Sequence, residues 1–484
     1  MSDKKLVLLL VLIALLIRIP YLNKTSIFPD AYFDVTTGNN ILLKYFTHEE
    51  GFSDNPPLGM YVVSIPSKIL RYLLDENDKN LVLGGRIGSL ITSLLIIIIA
   101  YYLTRKVFNK KTALLFTTSL IISPLLIYYS TIICVDNALV LTSTAYCLIT
   151  FLTKKEKKYI WYSGITFPLL YLSKTTSVFI LIAMLTFILL YRREVLKKEF
   201  KTFVYAYSLG IIILLFLWPY LRTNPYNLIN NFLERAEYSS KGHTTYHFGR
   251  IHEKAVYWVG PALVLAKIPE AITILIILFI LNTIKELRIK KRISEERAFL
   301  SLWFFTPLLL IGFVNIIANH YILFLIPPAY LIAAYEFHNA FNKKKNYKII
   351  ASIFITLILI KLLYWYELPG LNTVFFLKPE FVSLIPETGY SQTLNYLIKN
   401  NITGTISDSY NMGSILGKEI LRKQYPNLIF YKLNTNVDYF IVPSIHSQRY
   451  NDIKNFNLTE PKWSLFYEYK VRGTIINRVY KKNY

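Results

Sequence analysis

Residues 154–193 read KKEKKYIWYSGITFPLLYLSKTTSVFILIAMLTFILLYRR, two basic tracts enclosing an apolar run whose polar break falls at Ser173-Lys174-Thr175. Short Lys/Arg-rich loops of membrane proteins stay on the cytoplasmic side. A segment bounded by two such tracts must leave and return, so its crossings are even in number. Here the room suffices for two short helices or a re-entrant hairpin with its apex at Lys174.

The same parity orders the rest of the chain. Further tracts lie at Arg105-Lys106 with Lys110-Lys111, at residues 285–297 and at residues 343–348. Residues 111–154 hold two helices with an apex near Cys134-Val135-Asp136. Residues 202–284 hold a span, a polar loop and a returning span interrupted by Pro261 and Pro269. Residues 297–343 hold two helices meeting at Asn319-His320, and a last span follows at residues 349–365. The first apolar run, residues 6–22, follows Lys4 and Lys5 without an Ala-x-Ala-like cleavage site, so it reads as a retained span with a cytoplasmic N-terminus.

The expected fold is a polytopic α-helical membrane protein over residues 1–365, with about eleven spans and a range of roughly nine to thirteen. Its expected place is the cell membrane. The outer side receives a first loop (23–79), a second loop (222–256) and a tail (366–484). A net charge of +24 in a soluble protein would suggest nucleic acid, but these tracts punctuate apolar runs and carry no interleaved stacking aromatics. They set topology and could touch anionic membrane lipid, and no nucleic-acid partner is expected. Cys134 and Cys147 have neither disulfide-framework nor metal-ligand spacing.

In the tail the apolar runs shorten to strand length, at residues 437–442 and 463–469, with helix-like stretches at 390–399 and 415–425. This pattern reads as a small extracytoplasmic α/β domain. Asn401-Ile402-Thr403 and Asn457-Leu458-Thr459 are glycosylation sequons within it.

Chemistry gathers on the outer side. Asp30 and Asp34 stand one turn apart if the backbone is helical after Pro29; together they could hold a divalent cation, or one could act as general base. An N-capping Asp and a solvated carboxylate are the plainer alternative. Asn55-Pro56-Pro57-Leu58-Gly59 reads as a structural turn. Asp136 and Lys174 occupy hairpin apices, where ionisable groups usually face a cavity or a partner; snorkelling to headgroups is the other reading. Residues 241–250 concentrate His243 and His247 between glycines and could grip a phosphate through Arg250. The two histidines alone make no zinc site. Asn319-His320-Tyr321 and Glu270 beside Pro269 are lesser polar features. An enzyme on this face has no cytosolic nucleotide sugar to use, and would need a donor delivered in the lipid phase with a phosphate leaving group.

At these residues the chain resembles the GT-C superfamily, in the protein O-mannosyltransferase and aminoarabinose-transferase-like branch that uses polyprenyl-phosphate sugars. Pro29-Asp30, Asn55-Pro56-Pro57-Leu58, residues 85–90, Ser123-Pro124 leading to Asp136, Leu172-Ser173-Lys174-Thr175 and residues 242–269 follow its motifs in order. The resemblance implies that Asp30 is the catalytic carboxylate, as base in an inverting displacement. It implies that Lys174, with Arg250 and Arg86, neutralises the departing lipid phosphate beside His243 and His247, and that Asp136 orients partners or binds a metal. Ala31 stands where the family has Glu, and Asn55 where it has His; Asp34 would supply the missing carboxylate. Mg or Mn held by Asp30, Asp34 and Asp136 would be the cofactor. The acceptor would be protein, glycan or lipid. A transporter or lipid flippase with Asp136 and Lys174 along its path is the competing reading, and an inactive protein that kept the fold is a third.

Overall fold

The fold is described from a computed structural model. It covers residues 2–22, 35–38, 56–74, 78–218, 245–252, 256–314, 319–341, 346–365, 390–408, 427–431, 436–443, 461–471 and 474–483, with single positions between them, and the statements below concern these residues.

Helix α1 (Asp3–Arg18) is followed by α2 (Leu58–Leu73), α3 (Asp78–Val107), α4 (Lys110–Ile121), α5 (Pro124–Thr131), α6 (Asp136–Leu152), α7 (Lys158–Ser173), α8 (Val178–Tyr191) and α9 (Phe200–Leu217). A short hairpin of β1 (Thr245–His247) and β2 (Arg250–His252) precedes α10 (Val259–Lys267), α11 (Glu270–Lys290), α12 (Glu295–Leu310), α13 (Ile326–Phe341) and α14 (Tyr347–Tyr364).

Most helices of this part are apolar, but few are long. Four are long and apolar enough to cross a bilayer, within Asn80–Val107, Phe200–Leu217, Glu295–Phe313 and Asn319–Phe341. A fifth crossing arises if α4 and α5, bent by 57°, count as one. The eleven spans expected from hydropathy are therefore not reached by length and composition among the described residues. The reason is local: breaks split apolar runs into pieces shorter than a bilayer. Pro124 starts a new helix at α5, Lys174 adopts an extended conformation (φ −172°, ψ 147°) after α7, and Pro269 caps α11, where a proline cannot continue a helix. Pro261 does not interrupt the returning segment as expected; it sits in the first turn of α10, where the missing N–H goes unnoticed.

The basic tracts meet in space at one end of the bundle. Lys110 pairs with Asp3 at 3.3 Å, as does Arg105. Lys106 donates to the Tyr159 hydroxyl (3.1 Å), Lys157 pairs with Glu199 (3.0 Å) and Lys154 with Glu295 (3.1 Å). Arg192, fully buried, also pairs with Glu295, donates to the Phe151 carbonyl at 2.8 Å, and lies over the Phe151 and Phe187 rings. The chain start and the tracts around 105, 154, 192 and 295 thus gather together, while Lys174, the far end of the α7–α8 hairpin, lies at the opposite end.

Small residues let the helices approach closely. A Cβ built on Gly210 would lie 2.3 Å from the Gly164 carbonyl, and one on Gly88 2.3 Å from the Val62 carbonyl. These contacts close α7 on α9 and α2 on α3, as small-residue interfaces do between membrane helices. Arg18, also fully buried, joins three helices, donating to Ser93 Oγ (3.1 Å) and to the carbonyls of Ala14 (3.1 Å) and Ile121 (3.2 Å).

In the C-terminal part, α15 (Tyr390–Lys399), β3 (Gly404–Asp408), β4 (Leu428–Phe430), β5 (Tyr439–Pro443), β6 (Trp463–Val471) and β7 (Thr474–Lys482) follow. They form a mixed sheet of order β4-β3-β5-β7-β6, parallel across β4-β3-β5 and antiparallel across β5-β7-β6. Strand β5 alternates between two buried faces: Tyr439 and Ile441 pack with Leu394 and Leu397 of α15, Phe440 with Val437, Val442 and Trp463. Burial on both sides explains why this strand reads as a continuous apolar run. The helix expected at residues 415–425 lies outside the described residues.

Removing one partner of a buried ion pair leaves the other desolvated. Glu295→Ala should strand the buried Arg192 guanidinium and lower stability by on the order of 3 kcal/mol, read as a drop in the thermal unfolding midpoint of the purified protein. Adding Arg192→Met in the same chain should recover most of that loss.

Candidate active site

The turn before α6 carries Asp136. It is fastened from several sides: Ser89 Oγ on α3 accepts from Cys134 N (3.0 Å), and Asn137 Nδ2 donates to the Tyr129 carbonyl (2.7 Å). Gly59, from the Pro-Pro-Leu-Gly turn, presses on the same loop; a Cβ there would lie 2.8 Å from Val135. The turn reading of residues 56–59 thus has a specific purpose, since Pro57 accepts from Tyr61 N (2.9 Å) to open α2 and the glycine admits Val135. Asp136 is buried, 4% exposed, in the first turn of α6, where a carboxylate meets the positive end of the helix dipole.

Lys174 comes from the neighbouring break. Its carbonyl accepts from Ser177 N (3.0 Å), starting a tight turn into α8. Its Nζ donates to Asp136 Oδ1 at 2.5 Å and sits 4.1 Å from the centroid of the Tyr321 ring, a cation–π contact. Tyr321 lies edge-on to His320 (4.4 Å), and His320 edge-on to Tyr129 (6.4 Å), so the Asn319-His320 apex is wedged between the two. The sequence named Asp136, Lys174 and Asn319-His320-Tyr321 as separate polar breaks; the structure joins the first two as an ion pair and lays the Tyr321 ring beside the ammonium.

Arg86 is also at this end. Its Nη1 donates to the Leu22 carbonyl (2.5 Å), which pins the chain as it leaves the first helix. On the other side of the first loop's opening stretch, Val35 accepts from Ser64 Oγ (3.0 Å) and packs with Val63, Leu81, Val82 and Ile133. Leu22 and Val35 are the described residues that flank Asp30 and Asp34. Those two carboxylates, with Ala31, Asn55 and His243, lie outside the described residues.

The hairpin of β1 and β2 turns through Phe248 (φ 50°) and Gly249 (φ 78°), with His247 opposite Arg250. Two successive positive φ values define a type I′ turn, which explains the glycine. Phe248 N donates to the Val382 carbonyl (3.3 Å), and Phe248 and His252 pack on Trp258. Arg250 is exposed on this hairpin. The hairpin that carries it is anchored through the Phe248 and His252 contacts with Trp258.

Of the three carboxylates expected to hold a divalent cation, Asp30 and Asp34 lie outside the described residues. Asp136 spends an oxygen on the Lys174 ammonium, and no group of three His, Cys, Asp or Glu side chains is found among the described residues.

Residues 54–221 match the family described as dolichyl-phosphate-mannose-protein mannosyltransferase. No curated protein matches the sequence. Among solved structures, ArnT from Cupriavidus metallidurans in the apo state aligns with a TM-score of 0.55 at 11% identity, over 99% of this chain and 98% of that one. The same enzyme bound to undecaprenyl phosphate gives a TM-score of 0.54 at 10% identity, over 99% and 98%. The oligosaccharyltransferase AglB from Archaeoglobus fulgidus, in complex with an inhibitory peptide and a dolichol-phosphate, gives 0.54 at 14% identity, over 99% and 74%; that protein has also been crystallised with Zn and sulfate. The chain has the fold of the GT-C glycosyltransferases, which are integral membrane proteins.

Lys174→Met leaves the Asp136 carboxylate buried without its cation. The lysine is itself partly open to solvent, so the cost should be about 1–3 kcal/mol, seen as a lower unfolding midpoint. The double variant Asp136→Asn/Lys174→Met should regain stability, and an additive loss in the double variant would contradict the coupling.

Proposed function

We propose that the protein is a membrane glycosyltransferase that takes a sugar from a polyprenyl or dolichyl phosphate and places it on a hydroxyl of an acceptor, protein, glycan or lipid, at the non-cytoplasmic face. The observation that carries this reading is the Asp136–Lys174 pair. It is a buried ion pair with one partly open member, lying within the stretch that matches the mannosyltransferase family and at the end of the bundle opposite the basic tracts. ArnT with undecaprenyl phosphate and AglB with dolichol-phosphate support a lipid phosphate as the donor class.

In this reading the N-terminus is cytoplasmic, and the sheet of residues 390–483 belongs to an outer domain. Asp30 takes the proton of the acceptor hydroxyl as its oxygen attacks the anomeric carbon from the face opposite the phosphate. The bond from that carbon to the phosphate oxygen breaks, and its electron pair leaves with the phosphate. The configuration inverts. Lys174 meets the charge that grows on the phosphate, where a fixed cation in a low-dielectric site stabilises the transition state more than the ground state. Asp136 and Tyr321 hold the ammonium in place. Arg86 braces the chain entering the first loop, and Arg250, His243 and His247 supply further polar groups to the donor headgroup. Asp34 supports Asp30 in place of the absent Glu.

Purified protein incubated with synthetic polyprenyl-phosphate sugars should release free lipid phosphate. Asp30→Asn should lower that release by about 10²–10⁴-fold, the usual share of a general base, and Asp34→Ala by less. Full activity in Asp30→Asn would remove the base assignment. Neither turnover nor binding of any such donor would favour transport of a substrate past Asp136 and Lys174.

A further inference from the structure

The two members of the ion pair differ in access. The Lys174 side chain is 22% exposed and that of Asp136 5%, while the Tyr321 ring covers another side of the ammonium at 4.1 Å. An ammonium has three N–H donors. One is spent on Asp136, and the open side is reached by an anion arriving from outside before it meets the carboxylate. The chemistry of the proposed transfer then sets a problem. The donor is a phosphodiester with one negative charge. When the anomeric C–O bond breaks and its electron pair stays on the phosphate oxygen, the carrier becomes a monoester, which bears about 1.5–2 negative charges at neutral pH. The spent carrier is therefore held by Lys174 more strongly than the fresh one.

We propose that Asp136 competes with the lipid phosphate for the Lys174 ammonium, and that its return to the lysine drives the spent carrier out. The inference rests on the donor reading given above. It assigns Asp136 a role as a positioning residue that acts through Lys174, in product release rather than in bond breaking.

The test is binding of a synthetic polyprenyl phosphate, with the matching prenol as a control, to detergent-purified wild type and variants. Asp136→Asn, which keeps the size but removes the competing charge, should bind the lipid phosphate at least about tenfold more tightly, equivalent to 1.4 kcal/mol, with prenol binding unchanged. Its steady-state turnover should fall while the first turnover persists as a burst. Asp136→Asn/Lys174→Met, which carries neither charge, should lose the gain and bind more weakly than wild type. Asp136→Ser, which leaves room for water beside the ammonium, carries the same test where Asp136→Asn does not fold. Lipid-phosphate affinity at or below the wild-type value in a folded Asp136 variant overturns the competition. Absence of binding to wild type and variants alike overturns the donor reading, and this inference with it.

Discussion

Within hydrocarbon, a backbone carbonyl released at a helix end has no water to turn to, and the arrangement of this bundle follows from how those carbonyls are answered. Arginines do much of it. Arg18 reaches the Ile121 carbonyl at the end of α4, Arg192 the Phe151 carbonyl near the end of α6, and Arg86 the Leu22 carbonyl. A guanidinium suits the task because its five donors fork rigidly and it is only weakly hydrated. Each such bond also joins segments far apart in the chain, so broken helices are tied to one another where they would otherwise be free.

The charges divide by task. At the tract end, carboxylates are shared among several cations, as Glu295 is between Lys154 and Arg192 and Glu336 is engaged by Arg297. Near the start of α11, Lys361 of α14 is fully buried and pairs with Glu270 at 2.9 Å, linking the last helix of this part to the break at Pro269. At the Lys174 end the pair is simpler, one carboxylate and one ammonium with a ring beside it. It is also where the family resemblance locates chemistry.

Much of this was legible in the sequence. The tracts were readable because like charges at loop positions must share one side, and the structure brings those of residues 105–111, 154–158 and 192–199 together. The apices at Asp136, Lys174 and Asn319-His320 were readable because a polar residue in an apolar run marks a break. The number of spans was not, since Pro124 starts a new helix inside a run that hydropathy counts as whole, and the pieces on either side of Lys174 and the one before Pro269 are shorter than a bilayer requires. Tyr321 was read as part of a polar apex, but its contact with Lys174 was not legible because the two lie far apart in sequence. Arg18 carried a signal that went unused: a lone cation at the end of an apolar run is costly there and implies a fixed set of acceptors. The glycine beside Arg250 serves a type I′ turn, a role that its place in a polar loop did not reveal.

The direction of the two helices at the site has one more consequence. Asp136 stands at the amino end of α6 and Lys174 just past the carboxyl end of α7, so each charge faces a helix terminus of opposite sign, a favourable contact of about 0.3–1 kcal/mol. When the two side chains part, each keeps this smaller contact, but the buried carboxylate loses its cation. The backbone can therefore stay still while the ammonium changes partner, and the unpaired carboxylate supplies the pull that brings it back.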